Sequence, residues 1–146
     1  MKGNNYQELK LENQICFPLY AASREIIKRY RPHLDAIGLT YTQYITMMVL
    51  WEEGVISAKA LGKKLFLDSG TLTPVLKGLE EKGLLRRQRS AQDERVLMVE
   101  LTQAGEVLQE RAREIPHKIA SCTQLQPDEA LSLYRLLYKI LSENEQ

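Results

Sequence analysis

The segment that most constrains the fold is residues 66–95, which reads FLDSGTLTPVLKGLEEKGLLRRQRSAQDER. Asp68 or Ser69 is a suitable N-cap for a helix over about residues 70–82, and Gly83 is a suitable residue to end it. The residues that open this helix are small and polar. The sequence therefore predicts a short helix that presents hydroxyl side chains at its start.

The chain beyond this helix becomes extended, with two short strands at residues 84–89 and 96–101 around a polar tip. Before it, Ser57 is a suitable N-cap for a short helix over residues 58–65. Small side chains at a helix start can enter a DNA major groove, and an arginine-rich hairpin can follow the phosphates or reach a minor groove. We therefore predict a winged helix-turn-helix lobe over residues 39–101.

Helices precede this lobe. Thr40 and Gln43 have the spacing of a capping box at the start of one helix. An earlier helix over residues 11–30 carries apolar side chains at three- and four-residue spacing. Pro18 interrupts it, so we expect either a kink or a regular helix that starts nearer Cys16.

Two more helices follow the hairpin. Thr102 is a suitable cap for a long helix over about residues 103–120, in which Pro116 is a candidate bend, and Pro127 opens a final helix. The predicted order is α-α-α-α-β-β-α-α. This is a mainly α (α+β) fold in one domain over residues 1–146.

Residues 1–38 and 102–146 are predicted to form a dimerisation region. Apolar faces on terminal helices that do not cover each other within one subunit often meet those of a partner. A homodimer also suits double-stranded DNA, because two recognition helices one duplex turn apart can read a palindromic operator.

Charge is distributed unevenly along the chain. The total is only +1, but residues 59–95 hold nine Lys or Arg against five Asp or Glu. A basic lobe of this kind fits attraction to phosphate. No apolar run approaches the roughly 20 residues that span a bilayer, and the polar N-terminus lacks a secretory core, so we expect a cytoplasmic protein without membrane contact.

The two cysteines lie far apart and form neither a disulfide framework nor a metal-ligand cluster, so no metal or cofactor is expected. Cys16 lies in LENQICFPLY, far from the DNA-reading segment. One interpretation is a buried core cysteine, since a thiol packs as a small hydrophobe. The other is a reactive thiol, which needs its thiolate stabilised by positive charge, hydrogen-bond donors or a helix N-terminus.

The chain resembles the MarR family of bacterial repressors, and within it the organic-hydroperoxide-sensing (OhrR-like) branch. The family motifs are residues 67–95 and LTQAG directly after the hairpin, and the branch motifs are LENQICFPLY, LTYTQY and LWEE. This resemblance implies a homodimeric repressor that releases its operator when Cys16 is oxidised. It also implies that Tyr30 and Tyr41 donate hydrogen bonds to the reactive thiol.

Two further residues extend the predicted thiol site. Tyr20 lies four residues after Cys16, on the same helix face, and is a candidate for lining the same pocket. Cys122 lies in the region where two-cysteine members carry a resolving thiol, which in the family dimer comes from the opposite subunit. The sequence leaves open whether Cys122 or a small cellular thiol forms the disulfide with Cys16, and Cys122 is equally well read as a bystander.

The residues predicted to contact DNA fall into two groups. The first lines the recognition helix and consists of Ser69, Thr71, Thr73 and Lys77, while Asp68 is expected to cap that helix. The second lies on the hairpin and consists of Arg86, Arg87 and Arg89 as phosphate contacts, with Arg95 as the minor-groove residue and Asp93 as the residue that orients it, as the family pattern D-x-R implies. Lys63 and Lys64 are candidate backbone contacts.

Two alternative functions compete with the thiol-sensing repressor. One is a ligand-responsive MarR repressor that binds a phenolic or aromatic acid, with Cys16 incidental. The other is a thiol peroxidase, but the chain has neither a βαβ pattern nor a C-x-x-C motif. We therefore expect a regulator and not an enzyme.

Overall fold

The structure is a computed structural model that describes Gly3 and residues 5–143. Two short 3-10 turns, Gln7–Leu9 and Leu11–Asn13, come first. The elements that follow within the described residues are α1 (Cys16–Asp35), α2 (Tyr41–Glu53), β1 (Val55–Ser57), α3 (Ala58–Leu65), α4 (Ser69–Glu81), β2 (Leu85–Arg89), β3 (Leu97–Leu101), α5 (Gln103–Ala112), α6 (Ile115–Ile119) and α7 (Pro127–Glu143). The predicted mainly helical fold with a winged helix-turn-helix is confirmed.

Four helices begin at the side-chain caps that the sequence predicts. In each, a side-chain oxygen accepts a hydrogen bond from the backbone N–H three residues later; the capping residues are Thr40, Ser57, Asp68 and Thr102. The capping box at the start of α2 is complete, because the Thr40 backbone N–H also donates to Gln43 Oε1 at 3.1 Å. Each cap contributes about 1 kcal/mol and fixes where its helix starts.

The first helix begins at Cys16, which confirms the expectation that its regular part starts nearer that residue, and the preceding residues form the 3-10 turns. Pro18 therefore lies in the first helical turn, where its missing N–H has no intrahelical partner to lose. The end of the helix differs from the prediction. Pro32 does not end the helix, which continues to Asp35. Since Pro32 lies in the last turns, it removes one backbone hydrogen bond near an end that frays in any case.

The predicted helix over residues 103–120 is wrong as one element, because it is broken into α5 and α6. A helix through this region would need the N–H of residue 116 to donate to the carbonyl of Ala112. Pro116 lacks that N–H, and its ring would clash with the same carbonyl. The chain instead ends α5 at Ala112 and starts a new helix with Pro116 in its first turn.

The hairpin lies in an antiparallel sheet of strand order β1-β3-β2. β1 was not predicted from the sequence, because its three residues are too few to show an alternating pattern. In the hairpin, Leu85 pairs with Leu101 and Arg87 with Val99, and the tip is closed by a 2.8 Å hydrogen bond from the Ser90 N–H to the Val96 carbonyl. β1, which pairs with β3 and is followed directly by α3, joins the hairpin to the start of that helix.

The core lies under α2. Met47 and Leu50 of this helix are fully buried, together with Leu61 of α3, Leu79 of α4 and Val99 of β3. These side chains belong to one contiguous cluster. The recognition helix and the hairpin are therefore held by the same core as the helix that carries Tyr41.

The terminal helices carry apolar side chains that this core does not cover. Ile15, next to Cys16, is 86% exposed, and none of residues 127–142 in α7 is buried. The exposed apolar side chains of α7 are Leu131, Leu133, Tyr134, Leu136, Tyr138 and Ile140. Exposed apolar surface of this extent marks an interaction site. None of the helices in residues 5–143 has an apolar stretch long enough to cross a bilayer.

A Gly105→Ala substitution should destabilise the protein. Its Cβ would lie 2.1 Å from the Leu84 carbonyl oxygen, so α5 must move away from the start of the hairpin. We expect the free energy of unfolding, measured by urea titration, to fall by about 1–3 kcal/mol. The matched control is Gly70→Ala, also in a first helical turn, whose nearest contact would be an ordinary 3.4 Å. Equal stabilities of the two variants would contradict this packing.

Candidate functional site

The start of α4 presents small polar side chains to solvent. Asp68 caps the helix by accepting a 2.7 Å hydrogen bond from the Thr71 N–H, and this bond holds the pKa of Asp68 below its usual value. Ser69, Thr71 and Thr73 are exposed beyond it. The Thr73 hydroxyl donates to the Ser69 carbonyl at 2.7 Å. The helix start is therefore rigid and carries exposed groups that suit contact with bases or phosphates.

A groove of about 460 Å³ lies between this helix, α3 and the hairpin. Four of the predicted DNA-contact residues line it, namely Ser69, Thr73, Arg87 and Arg95. Ser57 and Lys59 line it as well, and the sequence analysis did not propose them for DNA contact. The N-cap position of Ser57 was the sequence feature that could have identified them, because it places the first turn of α3 beside α4. The groove joins the recognition helix and the wing into one basic surface.

Arg95 is held in place by Asp93 at the tip of the wing. Its Nε donates to Asp93 Oδ1 at 3.1 Å and its Nη2 to Oδ2 at 3.2 Å, while its backbone N–H donates to Oδ1 at 3.0 Å. These hydrogen bonds lower the pKa of Asp93. The Arg95 side chain remains 91% exposed. The pair thus orients a guanidinium toward solvent with little loss of its accessible surface.

The three arginines of β2 have different environments. Arg89 is exposed, and Arg86 is exposed with a 3.4 Å ion pair to Glu100. Arg87 is largely covered, and its Nη2 donates to Glu80 of α4 at 3.1 Å. Its backbone N–H donates to the same carboxylate at 2.9 Å. Arg87 therefore anchors the hairpin to the recognition helix, whereas Arg86 and Arg89 face solvent.

A tyrosine cluster lies where α1 meets α2. The ring centroids of Tyr30 and Tyr41 are 5.1 Å apart, and Tyr44 lies 5.9 Å from Tyr30. Burial, together with Tyr41, Tyr44 and Cys122 nearby, raises the pKa of Tyr30 to about 12. Burial also raises the pKa of Tyr41 and of Tyr44. These phenols therefore stay protonated at neutral pH and are available as hydrogen-bond donors.

Cys122 belongs to the same cluster. It is a free thiol, half-buried, and packs against the core beside Tyr30. The Arg29 guanidinium donates a hydrogen bond to its backbone carbonyl and so ties the segment after α6 to α1. One protomer thus brings together three of the five residues predicted for the thiol site: Tyr30, Tyr41 and Cys122.

Cys16 lies apart from this cluster within the protomer. It is an exposed free thiol at the first position of α1. Tyr30 follows it by fourteen residues on the same helix, which separates the two by about 21 Å at 1.5 Å per residue. Tyr20 accepts a 3.1 Å hydrogen bond from Arg24, whose guanidinium also lies over its ring. Cys16 therefore cannot reach Tyr30 of its own chain.

In the part of the chain that the structure describes, no three His, Cys, Asp or Glu side chains come together in a way that could hold a metal ion. The chemistry available at the cluster is that of thiols and phenols.

Comparison with known proteins shows the family. A sequence profile for the transcriptional regulator SarA/Rot family matches residues 28–112. The organic hydroperoxide resistance transcriptional regulator of Bacillus subtilis is 44% identical over 138 residues, which is 94% of each chain. The chain belongs to the MarR/SarA family of transcriptional regulators. The resemblance to the hydroperoxide-sensing branch is confirmed by the same relative.

Two crystal structures of AbfR, a Staphylococcus epidermidis protein, resemble this regulator. Reduced AbfR bound to DNA is 36% identical, with a TM-score of 0.79 over 97% of this chain and 100% of that one. Disulfide-formed AbfR is also 36% identical, with a TM-score of 0.64 over 92% of this chain and 95% of that one. Because these proteins are regulators, the peroxidase alternative is set aside.

The ion pair between Glu80 and Arg87 should make stability depend on pH. Hydrogen bonds from Arg87 lower the pKa of Glu80 below its ordinary 4.5. The pair therefore contributes stability above that value and loses it as pH falls through the lowered pKa of the folded state. We expect Glu80→Gln to be less stable than wild type at about pH 7 and the difference to shrink toward about pH 3, by urea unfolding.

The neighbouring Glu81→Gln is the control, because Glu81 is exposed and lies on the same turn of α4. It should leave the pH dependence unchanged. A stability difference between wild type and Glu80→Gln that stays constant across this pH range would show that the pair does not anchor the hairpin.

Proposed function

We propose that this regulator is a homodimeric repressor that senses organic hydroperoxides through Cys16 and then releases its operator. The observation that carries the proposal is the division of the thiol site within one protomer. Tyr30, Tyr41 and Cys122 form a cluster without the predicted sensing thiol, and Cys16 is exposed about 21 Å away. Only a second copy can supply the missing thiol to each cluster.

Dimerisation through the terminal helices would bring these parts together. We assign residues 1–38 and 102–146 to this role, of which residues 1, 2, 4 and 144–146 lie outside the described residues. The apolar faces of α7 and of the start of α1 are the surface that a second copy would cover. In such a dimer, Cys16 of one protomer meets Tyr30, Tyr41 and Cys122 of the other.

The DNA contacts follow from the winged lobe over residues 39–101. The start of α4 enters the major groove, with hydroxyls and Lys77 facing bases or phosphates; the residues are Ser69, Thr71, Thr73 and Lys77. Arg95 reaches the minor groove with Asp93 behind it, and Arg86 and Arg89 contact phosphates. Arg87, also predicted as a phosphate contact, lines the groove and is paired with Glu80. Of the two candidate lysines in α3, Lys64 pairs with Glu53 at 2.7 Å and Lys63 is exposed.

The thiol chemistry takes two balanced steps. The Cys16 thiol takes one oxygen atom from the hydroperoxide ROOH, which leaves as the alcohol ROH, and becomes a sulfenic acid. The sulfenic acid then condenses with a second thiol, forming a disulfide and releasing water. Cys122 supplies that thiol in this proposal, because it lies beside the tyrosines that would hold Cys16. A small cellular thiol is the alternative.

Oxidation would change the packing around the tyrosines. An oxidised sulfur is larger than a thiol and no longer fits the hydrogen bonds from Tyr30 and Tyr41. A disulfide to Cys122 would also pull on the segment between α6 and α7. If these changes alter the distance between the two α4 helices, the dimer loses its fit to a palindromic site. We place this chemistry in the cytoplasm, where a disulfide is transient and regulatory.

A mobility-shift titration on the protein's own upstream DNA tests the proposal. Wild type should lose affinity at least about tenfold after treatment with cumene hydroperoxide, as is typical of coupled sites. Cys16→Ser should keep its affinity, because no sulfenic acid can form. Cys122→Ser separates the two partner thiols, since it should release DNA only when a small thiol is added.

If the hydroperoxide releases both wild type and Cys16→Ser from DNA, or releases neither of them, thiol sensing is contradicted. The ligand-responsive repressor would then be favoured, and a phenolic or aromatic acid such as salicylate would be the next addition to the same titration.

A further inference from the structure

We propose that Lys82 is a positioning residue that couples the thiol site to the recognition helix, a proposal that rests on the function proposed above. Lys82 is the C-cap residue of α4. Its Nζ donates one hydrogen bond to Gln43 Oε1 at 2.8 Å and another to the Gly38 carbonyl at 2.5 Å. Gly38 lies in the turn between α1 and α2, so the end of α4 is tied to the corner where these helices meet.

Gln43 connects this tie to the tyrosine cluster. It lies two residues after Tyr41 and directly before Tyr44 on α2, and it is only 9% exposed. Its Oε1 accepts from Lys82 and also from the Thr40 N–H of the capping box. Because the first turn of α2 is one hydrogen-bonded unit, a displacement of Tyr41 also displaces the acceptor on which Lys82 depends.

The backbone of α4 comes unusually close to Gln43. A Cβ at Gly78 would lie 2.9 Å from Gln43 Nε2, closer than side-chain atoms normally approach. Glycine destabilises a helix interior relative to alanine. The close approach of Gln43 explains why glycine is nonetheless present at this position. Gln43 therefore touches α4 at two points one turn apart, Gly78 and Lys82.

The hydrogen bonds that form this tie are suited to a switch. The hydrogen bond from Lys82 to Gln43 is 2.8 Å long, so a displacement of Gln43 by about an ångström takes it beyond hydrogen-bond distance, whereas apolar contacts slide. Lys82 is exposed, and its Nζ returns to water when Gln43 moves. The end of α4 thus has two arrangements, tied to the corner of α1 and α2 or released from it. The tie is formed in the structure described here.

The test compares operator affinity in two states for each variant, reduced and treated with equimolar cumene hydroperoxide. The quantity of interest is the Kd of the oxidised form divided by the Kd of the reduced form. Lys82→Met removes both hydrogen bonds, and Gly78→Ala pushes the Gln43 amide away. We expect each to lower this ratio by about tenfold, because the reduced form should then bind the operator nearly as weakly as the oxidised form does.

Lys77→Met is the matched control on the same helix. As a predicted phosphate contact, Lys77 should affect both states equally and leave the ratio unchanged. If Lys82→Met behaves in that way, Lys82 is a phosphate contact and the proposal is wrong. It is equally wrong if Lys82→Met lowers only the melting temperature and leaves the ratio at the wild-type value.

The outcome for wild type separates this proposal from the function on which it rests. If wild type does not lose DNA on oxidation, the redox-sensing function fails and the coupling role fails with it. If wild type loses DNA and Lys82→Met does so to the same extent, the function stands and only the role of Lys82 is overturned.

Discussion

The length of α1 is the constraint on which the thiol site depends. One continuous helix carries Cys16 at its first position and Tyr30 fourteen residues later, so it keeps them about 21 Å apart. The helix passes through Pro18 and Pro32 without a break. The exposed thiol and the half-buried phenol of Tyr30 therefore remain at opposite ends of a rigid element. The proposed sensor uses both ends of this helix and therefore needs two chains, so that sensing and dimerisation become one structural requirement.

The second helix joins this site to the DNA-reading surface. Its first turn carries Tyr41 and Gln43, and its later turns supply Met47 and Leu50 to the core shared with α4 and the sheet. The DNA-reading face is itself fixed by ion pairs at its edges, Glu80 with Arg87 and Asp93 with Arg95. A change at the tyrosines thus acts on a lobe whose parts move together.

Much of the fold could be predicted because its signals are local. The N-caps Thr40, Ser57, Asp68 and Thr102 depend on residues within one turn, and all four are formed. The strand β1 and the ion pair of Arg87 could not be predicted in this way, because each depends on a partner distant in sequence: β3 for the strand and Glu80 for the arginine. The same applies to Cys122, whose place beside Tyr30 depends on how the segment after α6 packs against α1.

The most direct test of the account is disulfide formation in mixed dimers. Cys16→Ser and Cys122→Ser proteins are each treated with cumene hydroperoxide, alone and after subunit exchange, and then separated on a non-reducing gel. We expect a covalent dimer only in the mixture, because one protomer then supplies Cys16 and the other Cys122. A mixture without covalent dimer, when wild type forms an intrachain disulfide, would contradict a site shared between two protomers.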